Sequence, residues 1–449
     1  MKKILIFGCK KTGKGLYWLL SKDLQNDVWL YDDNMTDCDE DLKNTGRLLS
    51  MFVVKDTIDT FDLVVFTPSI GRRNWLIQLA LQHGITVLNE FEFCFLKCKA
   101  KTVCISGTDG KTTTTLMIES ILKQAGVSFK VAGNIGYPIS FCCEELTNKD
   151  ILLAEVSSFM LEDSYNITPN IAVITNIAPD HIDWHKGFRN YCMAKSNLVR
   201  YLSNDALAII NADDENSSFL PWSTNAQVLR FSLRKKTEGA YLFDNALWIC
   251  DKGITEKVFD VKDLRVLGEH NISNALCAVL VCRRLGISLK DIVEGLKNFK
   301  GVEHRLQMLF EFKKVSFIND SKATTVHATI SAIKAFRDKN IGLIVGGRKK
   351  NEDFERLFNC ENIKDVKNIA FFGESKYELF ELAQRNNFKN CFIAEDLKGA
   401  VGSIFNSLKQ KGGVLLFSPA CASFDEYKNF EERGKDFCAI ANDVKNENI

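Results

Sequence analysis

The stretch Ser106-Gly107-Thr108-Asp109-Gly110-Lys111-Thr112-Thr113 leaves this chain little freedom of architecture. The apolar run Thr102–Ile105 precedes it and reads as a short buried strand. The segment that follows, Thr114–Lys123, carries apolar residues at helical spacing. A strand, a glycine loop and a helix in that order form a phosphate cradle. Glycines let backbone N–H groups approach the anion, and the helix N-terminus adds a favourable dipole. Lys111 is placed to bridge terminal phosphate oxygens, and the Thr112 hydroxyl to ligate Mg²⁺. The full phosphate-loop pattern asks for a further glycine where Ile105 stands. The expectation is a nucleoside triphosphate site on an α/β sheet; the plain alternative is an ordinary strand–turn–helix with a solvated lysine.

With 449 residues the chain exceeds one hydrophobic core and predicts several domains. Its 58 basic and 57 acidic residues are interspersed, which gives no electrostatic case for nucleic acid or an anionic membrane. The fifteen cysteines are scattered through apolar runs without a Cys-x-x-Cys pair, as in a reduced, cytoplasmic protein. The apolar run of the first residues ends at Gly8, too short for a signal peptide, and no stretch is long enough to span a membrane. The polar tail 442–449 is expected to fray.

Strand and helix signals divide the chain at about 1–90, 91–299 and 300–449. In the first part, Ile4–Phe7 runs into a glycine turn at Gly8–Gly15, and Val28–Tyr31 ends in Asp32-Asp33. A glycine turn with an acid some 20 residues on suits a dinucleotide fold. The glycine spacing is not that of an NAD site, and the same geometry serves a uridine diphosphate or no ligand at all. In the second part, Ile151–Ala154 leads to Glu155, a candidate Mg²⁺ ligand, and Ile171–Asn176 opens into Asp180, His181, Asp183 and His185. No cysteine lies close enough for zinc, so oxygen ligation of Mg²⁺ with an auxiliary imidazole is favoured. His185 itself reads as a partly exposed loop histidine, and Lys195, on the helical segment 191–199, as a surface lysine. Residues 227–250 are β-rich, with hairpin signals at Glu238-Gly239 and Asp244-Asn245. Asn271 and Asn274, three apart on a helix, either face one ligand such as an adenine edge or cap and brace the helix. The third part repeats apolar strands that end in polar residues, at Asn319–Thr325, Gly346–Lys350 and Ser418–Phe424, without a second Gly-Lys-Thr.

The succession Gly107–Thr112, Gly133–Gly136, Glu155–Phe159, Asp180-His181, His270-Asn271, His304-Arg305, Asn319–Thr324 and Ser418–Gly434 resembles the Mur ligase family over essentially the whole chain. The resemblance implies three α/β domains. The N-terminal one is Rossmann-like, the central one a P-loop ATPase with a mainly parallel sheet plus a small β-rich part, and the C-terminal one Rossmann-like. It implies an ATP-dependent amide-bond ligase of peptidoglycan precursor synthesis, with UDP-N-acetylmuramoyl-L-alanine and D-glutamate as substrates. Gly107, Thr108, Asp109, Gly110, Lys111, Thr112, Thr113, Asn271, Arg305 and Asp320 would bind ATP. Thr112, Glu155, His181 and a carbamylated Lys195 would hold two Mg²⁺. Lys111, Lys195, His304 and Lys322 would serve the reacting centre. Lys11, Thr12, Asp32, Asp33, Ser69 and Asn134 would take the nucleotide substrate, and Lys322, Thr324, Lys350, Ser423, Phe424 and Phe430 the amino acid. The resemblance further implies a cytoplasmic monomer. Asp109 stands where the family usually has asparagine, Met160 where glutamine is frequent, and Asn34 where a basic residue is common. Related readings are another Mur enzyme or a folylpolyglutamate-synthetase-like ligase. A dehydrogenase leaves the phosphate loop unexplained, and a non-catalytic nucleotide switch leaves the third domain unexplained.

Overall fold

The computed structural model describes residues 1–218, 220, 224–266, 268–349 and 353–446. Its strands form three sheets, and their apolar sequences explain why. Parallel strands covered on both faces must be apolar at nearly every position. β1 (Lys2–Phe7), β2 (Asn26–Tyr31), β3 (Leu63–Phe66) and β4 (Thr86–Asn89) make an all-parallel sheet in the order β2-β1-β3-β4.

The second sheet carries the phosphate loop. It comprises β5 (Lys101–Ser106), β6 (Phe129–Gly133), β7 (Ile151–Glu155), β8 (Ile171–Ile174), β9 (Leu207–Asn211), β10 (Gln227–Ser232), β11 (Gly239–Phe243), β12 (Ala246–Asp251) and β13 (Ile254–Asp260). Their order is β13-β12-β11-β10-β9-β8-β5-β7-β6, so β5 lies between β8 and β7. The β-rich segment thus extends the main sheet. Asp244-Asn245 turns a true hairpin between antiparallel β11 and β12, both residues having positive φ (48° and 53°) as such a turn requires. Glu238-Gly239 does not: β10 and β11 run parallel, and Gly239 begins a strand instead of closing a turn. A Cβ there would stand 2.1 Å from the Arg230 carbonyl oxygen, which accounts for the glycine without a hairpin.

These two sheets belong to one compact unit, Met1–Leu264 with Glu269–Phe299. A single cluster of buried side chains runs from Ile4, Ile6 and Val65 of the first sheet to Cys104, Leu152 and Ala172 of the second. Buried polar groups tie them as well. At the start of the helix Glu90–Lys97, Asn89 Nδ2 donates to the Met160 carbonyl (2.9 Å), and Glu92 Oε1 accepts from the Asn166 N–H (2.8 Å). The Arg72 N–H donates to Asp163 Oδ2 (3.1 Å).

The second unit is Arg265–Gly268 with Lys300–Ile449. β14 (Gln307–Phe312), β15 (Val315–Asn319), β16 (Ile341–Gly346), β17 (Val366–Phe372), β18 (Cys391–Ile393) and β19 (Gly413–Phe417) lie in the order β14-β15-β19-β16-β17-β18, with only β14 antiparallel. One core covers the face with Ile318, Leu343 and Leu416, another the face with Phe317, Ile344 and Leu415. The helix Phe430–Asn446 packs Phe437 and Ala441 into the latter, so the chain is still helical at 442–446, where the sequence suggested fraying.

Candidate active site

Strand order brings the site of the first unit to one sheet edge. Registers pair Ile105 of β5 with Glu155 of β7 and Ser106 with Ile174 of β8, so the phosphate loop, Glu155 and Thr175-Asn176 all follow neighbouring parallel strands. The carboxyl edge of such a sheet is where ligands bind. Gly110 caps the helix Lys111–Gln124 at φ 81° without a side-chain cap, as in a terminus that receives an anion. Thr108 is pinned by its hydroxyl to Tyr191 (2.8 Å), and the Asp109 carbonyl accepts from the Thr175 hydroxyl (2.6 Å). Thr112 lies half-buried in the first turn of the helix, and Thr113 is buried. Asn274 donates to Asn271 Oδ1 (3.4 Å) and accepts from the Thr114 hydroxyl (3.3 Å), and a Cβ on Gly110 would meet its Oδ1 at 2.4 Å. That braces the loop and sets Asn271 beside it.

Two lysines converge on one carbonyl. Lys111 Nζ donates to the Gly107 oxygen (2.9 Å) and to that of Thr108 (2.7 Å), and Lys195 Nζ donates to the same Gly107 oxygen (2.7 Å). Lys195 is no surface lysine: it is 1% exposed, with Tyr191 4.9 Å from its ammonium. Burial, then the charge of Lys111, push its pKa down to about 7. His185 is likewise fully buried, its Nε2 3.0 Å from the Ser158 hydroxyl, because the short helix Ile182–His185 turns it inward.

Glu155 is fully buried, and Asn134 Nδ2 donates to its Oε1 (2.7 Å), while its Oε2 has no hydrogen-bond partner among the described residues. An orphaned carboxylate oxygen at this depth suits a cation ligand. His181 is half-exposed, 3.3 Å from the Asp180 carboxylate, its ring tilted by 51° against that of Phe159.

A cavity of about 670 Å³ lies beside the first sheet, lined by Lys11, Thr12, Asp32, Asp33, Ser69 and Asn134, with Thr67, Phe159 and Trp184 among its walls. The helix Lys11–Ser21 opens onto it without a side-chain cap or an acid in its first turn. Asp32 accepts from the N–H groups of Cys9 (2.7 Å) and Asn34 (2.9 Å), and Asp33 from Tyr31, Asn74 and Trp75, so both acids are held in place. A larger cleft, about 910 Å³, shares Phe159 and Trp184 with it and contains His181. Sequence reasoning missed Thr67, Phe159 and Trp184, since nothing in their spacing separates a cavity wall from a core.

In the second unit, His304 is 5% exposed, and Asn319 Nδ2 lies 3.0 Å from its Nδ1. That amide also donates to the Gly434 carbonyl (2.8 Å). With Nδ1 accepting, the proton sits on Nε2, which is buried without a hydrogen-bond partner among the described residues. Burial holds the imidazole neutral by lowering its pKa. Asp320 accepts from the Ser418 hydroxyl (2.7 Å) and the Leu306 N–H (3.0 Å), and burial pushes its pKa up to about 7. Arg305, half-buried, lowers that value slightly by its charge. The Lys322 N–H bonds the His304 carbonyl (2.9 Å), and its ammonium stands 5.8 Å from the Phe430 ring. Thr324 follows half-buried, Ser423 is buried and Phe424 is exposed. Lys350 lies outside the described residues.

Residues 105–282 match the Mur ligase middle domain, and residues 304–421 the Mur ligase, glutamate ligase domain. A protein of Thermoanaerobacter pseudethanolicus named UDP-N-acetylmuramoylalanine--D-glutamate ligase is 36% identical over 444 residues, 97% of each chain. Its namesake in Streptococcus mutans is 35% identical over 451 residues, 99% of this chain and 98% of that one. The chain belongs to the Mur ligase family. Solved structures share the fold: UDP-N-acetylmuramate-alanine ligase MurC of Thermotoga maritima (TM-score 0.57, 20% identity, 99% of this chain and 100% of that) and MurF ligase of the same organism in complex with ADP (TM-score 0.57, 15% identity, 100% and 96%). As a Mur ligase the chain is an ATP-dependent, ADP-forming ligase with the three-domain α/β fold. Among the described residues no helix is long and apolar enough to cross a membrane.

Proposed function

We propose that this ligase joins D-glutamate to UDP-N-acetylmuramoyl-L-alanine, with ATP converted to ADP and phosphate, in the cytoplasmic synthesis of peptidoglycan precursors. The observation that carries the reading is Asn134. It lines the cavity beside the first sheet and also donates to Glu155, one strand from the phosphate loop. A nucleotide-sugar in that cavity would have its diphosphate at the open start of the helix Lys11–Ser21 and its far end directed towards Asn134. Asp32 and Asp33, already oriented by backbone and ring N–H groups, would take the nucleoside.

A carboxylate acylates poorly, so its activation as an acyl phosphate at the expense of ATP is the reaction the fold supports. Lys111 would leave the Gly107 and Thr108 carbonyls to meet the terminal phosphate oxygens, as a phosphate-loop lysine does. Thr112, Glu155 and His181 are the residues that would hold Mg²⁺, which supplies charge neutralisation between phosphate and carboxylate. Lys195, a buried amine without a carboxylate partner among the described residues, fits carbamylation by CO₂, which would turn it into an anion beside them. In the second unit, Lys322, Thr324, Ser423, Phe424 and Phe430 would receive D-glutamate. His304 would present its Nε2 proton to the reacting centre, and Asp320 and Arg305 would face the nucleotide.

The test is phosphate release by the purified chain with ATP and Mg²⁺. Release should require both UDP-N-acetylmuramoyl-L-alanine and D-glutamate. Release with L-alanine or a diamino acid in place of D-glutamate, or with a folate in place of the nucleotide-sugar, would assign the chain to another branch of the family, and release with neither substrate would leave only an ATPase.

A further inference from the structure

Arg433 is a buried cation that the proposed reaction leaves without a part. It lies in the helix Phe430–Asn446 and is fully buried. Its Nε donates to the Ser321 hydroxyl (3.1 Å), and its Nη2 to the carbonyls of Ser321 (2.9 Å) and Cys421 (3.1 Å). Nη1 has no hydrogen-bond partner among the described residues, and a Cβ on Gly347 would stand 3.0 Å from it. No ion pair to Arg433 occurs among the described residues. Burial lowers its pKa to about 10, which leaves it charged at neutral pH.

Those contacts fall on three strand ends of one sheet edge. Ser321 follows β15, Gly347 follows β16, and Cys421 follows β19. The Ser321 hydroxyl passes the link on to the Phe430 carbonyl (2.8 Å), at the start of Arg433's own helix. The described residues offered above for D-glutamate sit on the same segments: Lys322 and Thr324 just after Ser321, Ser423 and Phe424 just after Cys421, and Phe430 itself.

The partners of Arg433 are neutral. Carbonyls and a hydroxyl can be satisfied by an uncharged donor, whereas a buried guanidinium that makes no ion pair is costly, and the carboxylates of Asp425 and Glu426 act on it only through their field. A positive charge without an ion-pair partner at the junction of these loops is offset further when an anion settles on them. We propose that Arg433 is a positioning residue of the amino-acid site, holding its three loops in register and providing a background positive charge that selects an acidic amino acid. The inference rests on the reading that this unit binds D-glutamate.

The experiment compares Arg433→Met, Arg433→Lys and Ser423→Ala with the full wild-type chain. It measures KM for D-glutamate, ATP and the nucleotide-sugar, together with kcat and the melting temperature. Arg433→Met should raise KM for D-glutamate about tenfold or more while the other two KM values stay near wild type. Arg433→Lys, which keeps the charge and loses the fork, should recover part of that loss. If Arg433→Met fails to fold, Arg433→Lys carries the test with a smaller but equally selective rise. A wild-type KM for D-glutamate in the folded Arg433 variants, or three KM values rising together, would overturn the inference. Ser423→Ala tells this failure from that of the site: a selective rise there with unmoved Arg433 variants sinks the role of Arg433 alone. No rise in any of the three variants sinks the site reading with it.

Discussion

Gly434→Ala should destabilise the second unit although alanine is the better helix former. The glycine sits inside the helix Phe430–Asn446, where replacing glycine by alanine ordinarily gains about 1 kcal/mol. Here the new Cβ would stand 2.3 Å from Nδ1 of His304, 2.5 Å from its Cγ and 2.8 Å from its Cε1. The ring is buried and cannot swing into solvent, so it must shift within a packed core. Overpacking of that kind costs about 1–3 kcal/mol. Moving the ring also breaks its bond with Asn319, worth about 1 kcal/mol. The balance is a net loss of about 1–3 kcal/mol. In a His304→Ala background the obstacle is gone, and the same Gly434→Ala change should stabilise by up to about 1 kcal/mol. The expected coupling is therefore about 2–4 kcal/mol with a reversal of sign. Hydrogen exchange of the amides in 430–446 reads this local stability without assuming that both units unfold together. Equal effects of Gly434→Ala in the two backgrounds would refute the argument, because the ring would then not occupy the space the glycine leaves. Ligation by Gly434→Ala should fall as well, since His304 is displaced with Nε2.

Asp163→Asn tests a buried carboxyl whose pKa burial pushes up to about 6. An acid with a folded-state pKa above its unfolded value weakens the fold as it ionises, so its cost is absent near pH 4 and complete above pH 6. The amide can still accept from the Arg72 N–H. The variant should therefore match wild type near pH 4 and gain up to about 2–3 kcal/mol at pH 8; thermal melts at both pH values check this, and no gain at pH 8 refutes it. Lys195→Ala should lose ligation, and acetate, a small carboxylate that would restore an anion there, should return part of it. Failure of acetate to do so in a folded variant counts against a carbamate.

The strands were legible because parallel, doubly covered strands need unbroken apolar runs, and the ends of those runs marked where loops would gather. Asp32 and Asp33 stand at such an end, Ser69 and Asn134 are named through the family resemblance, and all four share one cavity although they are far apart in the chain. Lys195 was not legible. The helical pattern around it announces only a polar position, while its burial depends on the Gly107 carbonyl from another strand end and on the Tyr191 ring. Glu238-Gly239 misled because close backbone approach and tight turning both demand glycine, and only the fold tells them apart. Arg433 lay within a recognised stretch, yet its partners come from three separate loops, which no spacing encodes.

The seam between the first two sheets, closed by Asn89, Glu92 and Asp163, bears on how a nucleotide-sugar would enter. Its cavity draws walls from both sides of that seam, Thr12 and Asp33 from one and Asn134 and Phe159 from the other. With the sides locked by buried bonds and a common core, the cavity takes its shape when the chain folds, and an arriving ligand has little left to order. Stopped-flow traces of UDP-N-acetylmuramoyl-L-alanine binding to the chain alone should then follow one concentration-dependent exponential, with no slow rearrangement behind it.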